Sequence, residues 1–247
     1  VHSGSASGVV PSPFRLLNKL ISRLEDSDTG KIDLENLNVE IPDERKVQAL
    51  EMVECLGNWE EEFPWYGNTK PSTSDSYESM LNRTWRPTMT VIGIDGIPPI
   101  KDGGNVLLPF SAANLSFRLP PTADSKKAMQ EVEKTLLSDP PNSCEVSIKW
   151  EKAANGWNAP SCKPWLNDVI NESSKEIFGK PARAMGEGGT IPFMGMLGER
   201  YPQAQFVITG VLGPNSNAHG PNEFIHIPFA KRLNTCIALI LSNYQKN

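Results

Sequence analysis

At 247 residues the chain is long enough for one large domain or two ordinary ones, and 38% hydrophobic with 21% charged residues describes a soluble globular protein. A formal net charge of −5 gives no electrostatic reason to expect nucleic acid or an anionic membrane as partner. The longest strongly apolar run, CIALIL at 236–241, is far too short to span a bilayer.

The first predicted element is an amphipathic helix over 12–26. Ser12 stands where a cap belongs, Pro13 suits the first turn, and Phe14, Leu17, Leu20, Ile21 and Leu24 share one face. The pattern then weakens over 27–83, which holds a helix signal at DERKVQALEMVECLG and an aromatic, acidic loop, NWEEEFPWYGN. Strands are predicted at 88–97 and across 105–121, the second long, bent or in two segments. A helix follows at 124–139, with Ala128, Met129, Val132 and Leu136 on one stripe, and then an alternating strand at 144–153. This order predicts an α+β unit, an antiparallel sheet with helices on one face.

Beyond residue 155 the character changes to α/β. A helix over 162–180 is stopped by Gly179; a short strand leads through the glycines of GEGGTIP into another helix; 204–213 is a continuous apolar run of the kind buried between helix layers; and a last helix closes the chain. A boundary is placed near residue 155, giving units 1–155 and 156–247.

His219, in GPNSNAHGPNEF, is bracketed by turn formers just after the apolar run, at the edge where open α/β sheets place ligands. A neutral imidazole there binds a metal or acts as a base; pinning a loop is the plainer alternative. In GEGGTIP, Gly188 and Gly189 permit close backbone approach and Thr190 can cap the next helix, which makes either an anion site or a tight turn. In NLSFRL, alternation sends Leu115, Phe117 and Leu119 one way and Arg118 the other, to grip a carboxylate or simply to meet water. His226, with apolar neighbours, reads as structural, and His2 by itself is a histidine among small residues. Cys55, Cys144, Cys162 and Cys236 are widely scattered; four reduced thiols is the simplest reading, with two disulfides left open. The chain opens at Val1 with no initiator Met and no targeting signal, which reads as a fragment.

In this order, HSGSASGVVPSP, RTWRPTMTVIGIDGI, NVLLPFSAANLSFRL, GEGGTIP and AHGPNE resemble motifs of the carnosinase and aminoacylase group of zinc metallopeptidases, in particular its cytosolic non-specific dipeptidases. The resemblance covers essentially the whole chain. It implies a lid domain used for homodimerisation (1–155), followed by the end of a catalytic domain that carries two zinc ions, with manganese an alternative. His219 would be a metal ligand, Gly189 and Thr190 would contact the substrate, and Arg118 would bind its carboxylate. His2 and Asn105 would reach across the dimer, His2 to steady the tetrahedral intermediate. Where this chain has Asn105 and Gly186 the family often has Thr and Arg, which leaves position 186 without an assigned role. The family's other metal ligands and catalytic Glu precede the lid and are not in this sequence, so the fragment is expected to be inactive. The implied activity of the parent is hydrolysis of dipeptides or short peptides in the cytoplasm, with neither nucleic acid nor membrane as partner. An N-acyl amino acid amidohydrolase or deacylase is the alternative within the family; a non-catalytic dimerisation module is the alternative outside it.

Overall fold

The computed structural model describes residues 1–187, 192–213 and 215–244. Helix α1 (Pro13–Ile21) starts where expected, with proline in its first turn, but Ser12 makes no side-chain cap and the chain leaves the helix before Leu24. Leu20 and Leu24 are buried while Phe14, expected on the same face, is exposed. Asp26 then accepts on Oδ1 from the Asp28 and Thr29 amides and the Thr29 hydroxyl, closing a turn. A 3-10 turn at Glu35–Leu37 sinks Leu37 completely. Helix α2 (Asp43–Leu56) matches its sequence signal and ends at Gly57. Helix α3 (Ser76–Thr84) lies in the stretch with no clear pattern, and Asp75 caps it through the Tyr77 and Glu78 amides.

Strands β1 (Thr88–Asp95) and β2 (Ala112–Arg118) pair antiparallel from Thr88 opposite Arg118 to Asp95 opposite Ala112, with an irregularity between Val91 and Gly93. Of the two forms expected for 105–121, a long bent strand or two segments, the structure shows the second: β2 is confined to Ala112–Arg118, and a separate extended piece around Val106 pairs elsewhere, as described below. Helix α4 (Ser125–Leu137) follows, its Asp124 side chain accepting from the Lys126 and Lys127 amides. Ala128, Val132 and Leu136 of α4 join Leu20, Leu24, Ile32 and Leu37 in one core, with Met89, Leu115, Phe117 and Leu119 of the sheet segment packed on it. One face of the sheet is thus covered by helices, and alternation sorts the β2 side chains as the sequence predicts. Arg23 ties the two covering helices together, donating to the backbone carbonyls of Ser138 (2.5 Å) and Asp139 (2.7 Å) at the end of α4.

The predicted strand at 144–153 is corrected: Val146, Ile148 and Trp150 face the same core, but no ladder forms. Alternation decides which side chains turn inward; a ladder needs a neighbouring strand at hydrogen-bonding distance. Here a cavity of about 1400 Å³, lined by both β2 and residues 144–154, separates the two, and the buried Trp150 indole N–H has no partner.

Downstream, α5 (Pro164–Phe178) ends at Gly179, whose φ of 77° is the left-handed conformation a helix stop needs. Helix α6 (Pro192–Arg200) follows, then α7 (Ile227–Tyr244). Helices α5 and α7 run antiparallel: Trp165 meets Tyr244 at one end, Phe178 meets Phe229 at the other, and the Cys236 thiol donates to the Ser173 carbonyl between them. The stretches 181–187 and 204–213, both expected to hold strands, form none, and Val207, Ile208 and Leu212 are exposed rather than buried. A parallel strand is created by flanking strands and helix layers, and among the described residues none flanks this run. The four cysteines are free thiols. Among the described residues no helix is long and apolar enough to cross a membrane.

Candidate functional site

Two of the sequence-predicted residues are brought together. Residues 1–3 lie antiparallel to 105–107: the Ser3 amide donates to the Asn105 carbonyl (2.9 Å), Leu107 donates to Val1 (2.8 Å), and His2 bridges Val106. This pairing forms the first of the two extended segments within 105–121. His2 then opens a turned segment in which the Ala6 amide donates to the His2 carbonyl (3.1 Å) and the Val10 amide to the Ala6 carbonyl (3.0 Å). The exposed imidazole folds back on this turn, its Nδ1 accepting from the Gly4 amide at 3.1 Å and the Ser5 amide at 3.3 Å.

Arg118 stands at the far end of β2, six residues and so about 20 Å along the strand from Ala112. It is exposed, on the side away from the helices, and its guanidinium has no hydrogen-bond or ion-pair partner among the described residues. Among the described residues nothing joins it to His2 or Asn105. Gly189 and Thr190 lie outside the described residues, but the chain leading to them is anchored. Arg83 of α3 pairs with Glu187 at 3.2 Å, and Arg183 lies 3.7 Å from Glu51 of α2. A Cβ on Gly186 would stand 3.1 Å from both Cβ and Cγ2 of Thr84. That is tighter than an ordinary contact, so a side chain at 186 would require Thr84 of α3 to give by a few tenths of an ångström.

His219 sits in a loop held by its own polar groups. Ser216 is buried, its hydroxyl accepting from the Gly213 amide (2.9 Å), and the Asn217 side chain donates to the Pro221 carbonyl (2.7 Å). Asn215, Asn217, His219 and Asn222 all have φ between 54° and 61°, in the left-handed region. Asparagine tolerates that region; for His219 it costs of order 1 kcal/mol and must be held by its surroundings. Glu223 does so, its Oε2 accepting the His219 amide at 3.1 Å. The expected strand edge is absent, so this loop, and not a sheet, places the imidazole. Glu223 was missed in the sequence, although its spacing four residues after His219 in AHGPNE was available as a signal. His226 caps α7, its Nδ1 accepting from the Phe229 amide at 3.2 Å.

A metal centre needs several donors around one point. Among the described residues no group of three or more His, Cys, Asp or Glu side chains could hold an ion, and the exposed His219 imidazole is a single donor. The described residues do not by themselves fit a zinc centre.

An α+β unit with helices on one face of an antiparallel sheet, opened by a His-Ser-Gly turn paired to the strand-connecting loop, defines a class. Residues 1–144 match the family of the M20 peptidase dimerisation domain, more than half of the sequence, and the chain belongs to that family. Its relatives include the cysteinylglycine-S-conjugate dipeptidase of Corynebacterium striatum, 25% identical over 94% of this chain and 50% of that protein. Human carnosine dipeptidase 1 shares the fold with a TM-score of 0.70 at 18% identity, over 97% of this chain and 50% of the other. The di-peptidase Dug1p of Saccharomyces cerevisiae does so with a TM-score of 0.70 at 19% identity, over 100% and 52%. The M20 metallo-carboxypeptidase Sso-CP2 of Sulfolobus solfataricus has a TM-score of 0.66 at 24% identity, over 97% and 54%. The chain spans about half the length of each of these proteins.

Proposed function

We propose that this chain forms the lid and the closing part of the catalytic domain of a homodimeric, metal-dependent peptidase of the cytoplasm that cleaves dipeptides or short peptides. The observation that carries the reading is the alignment of a dipeptidase with 94% of the chain, in a family whose matched domain is one of dimerisation. Residues 1–155 are assigned to the lid and 156–247 to the catalytic portion.

The roles follow from what each side chain offers. Arg118, exposed and unpaired, presents a fork of donors for the free carboxylate of a peptide. His2 presents an imidazole edge to the oxygen that gains charge during hydrolysis, with Asn105 beside it, both serving the partner copy's site. Gly189 and Thr190 bind the substrate's backbone on the other side. His219 would supply one donor to a zinc site, with manganese as an alternative ion, and the remaining donors would come from outside this chain. The 247 residues alone are therefore inactive.

The test uses the longer protein that carries these residues. A chelator is expected to abolish dipeptide hydrolysis and added zinc or manganese to restore it, while His219→Ala removes activity that metal does not restore. Full turnover by His219→Ala would overturn the assignment.

A further inference from the structure

We propose that Gly4 is a positioning residue for His2, and that the turn at 3–9 locks the neutral imidazole in its Nε2–H tautomer. A ring nitrogen that accepts hydrogen bonds must carry its lone pair, so with two backbone amides donating to Nδ1, at 3.1 Å from Gly4 and 3.3 Å from Ser5, the proton resides on Nε2. The donors are fixed in turn: the Ala6 amide holds the His2 carbonyl, Ala6 is buried, and Ser3 is bonded to Asn105. Nε2 is left without a partner among the described residues, on an exposed ring. The neutral imidazole is thereby oriented to donate one hydrogen bond outward through Nε2.

Gly4 matters because the ring packs directly against it, where a side chain would crowd the imidazole. A Cβ there would stand 3.0 Å from Cε1 and 3.2 Å from Nδ1 of His2. The exposed ring would have to give by a few tenths of an ångström, which stretches the two amide hydrogen bonds at 3.1 and 3.3 Å and loosens its hold on one orientation. The catalytic meaning rests on the peptidase role given to His2 above: a donor aimed before the reaction at an oxygen gaining negative charge stabilises it without reorganisation.

The experiment is long-range proton–nitrogen correlation on the 247-residue chain labelled with 15N-histidine, at a pH where the ring is neutral. The His2 signals are assigned by their loss in His2→Gln. The wild type is expected to show one Nε2–H tautomer, and Gly4→Ala the averaged signals of a ring exchanging between two. An averaged or Nδ1–H pattern in the wild type overturns the proposal, whether or not the variant folds; so does an unchanged pattern in a folded Gly4→Ala. In the longer protein Gly4→Ala is expected to lower kcat roughly ten-fold with KM little changed, part of the ~10²–10³ lost when an oxyanion donor is removed outright. If His2→Gln leaves turnover intact, the peptidase role fails while the tautomer result stands by itself.

Discussion

At the scale of single residues, polar side chains that seize nearby backbone amides recur: Asp26 over its turn, Glu223 on His219, His2 on its own two followers. Asp26 gives a pH prediction. Hydrogen bonds from the Thr29 hydroxyl and the Thr29 amide hold its carboxyl below the ordinary aspartate value of 3.8. A depressed folded-state value means that its contribution is complete above the unfolded value and fades as pH falls through the folded one. Chemical denaturation should show Asp26→Asn less stable than wild type at neutral pH, with the gap closing below about pH 3.8. Such residues were partly legible. Gly179 announced its left-handed stop, and Leu115, Phe117 and Leu119 announced their face, since both follow from local geometry. The seat of His2 was not, because its donors are main-chain amides that any residue carries.

Among the elements, amphipathic helices were readable and strand partners were not. The stripe of Ala128, Val132 and Leu136 is a property of one segment, and the structure buries it as one. Residues 144–153 show the opposite case, with the alternation present and the ladder missing, because pairing depends on atoms elsewhere in the chain. Helix α3 hid behind polar residues, and its one strong sign was a capping Asp75 ahead of Glu78. Caps of this type give a direct measurement. Asp124→Ala strands the amides of Lys126 and Lys127 at the start of α4, and its expected cost is about 1 kcal/mol, read as a lower denaturation midpoint at unchanged slope.

For the molecule as a whole, β1 is an edge strand whose Ile92 and Ile94 are 60% and 51% exposed, with Ile97, Ile100 and Phe110 nearby in sequence and also in water. Apolar surface gathered on an unpaired edge favours association. Sedimentation is expected to show a dimer whose dissociation constant rises at least about ten-fold in Ile92→Lys, a change of 1.4 kcal/mol or more. A monomer at all concentrations would contradict it.

The core around Leu37 has another consequence. It joins Leu20 to Leu136, with Trp150 at its margin, so its parts arrive from both ends of a stretch more than a hundred residues long. Closing so wide a loop costs entropy before any contact repays it. Synthesis from the amino terminus therefore leaves α1 waiting, its leucines unsheltered, until α4 has left the ribosome. Chaperone protection would matter most during that interval.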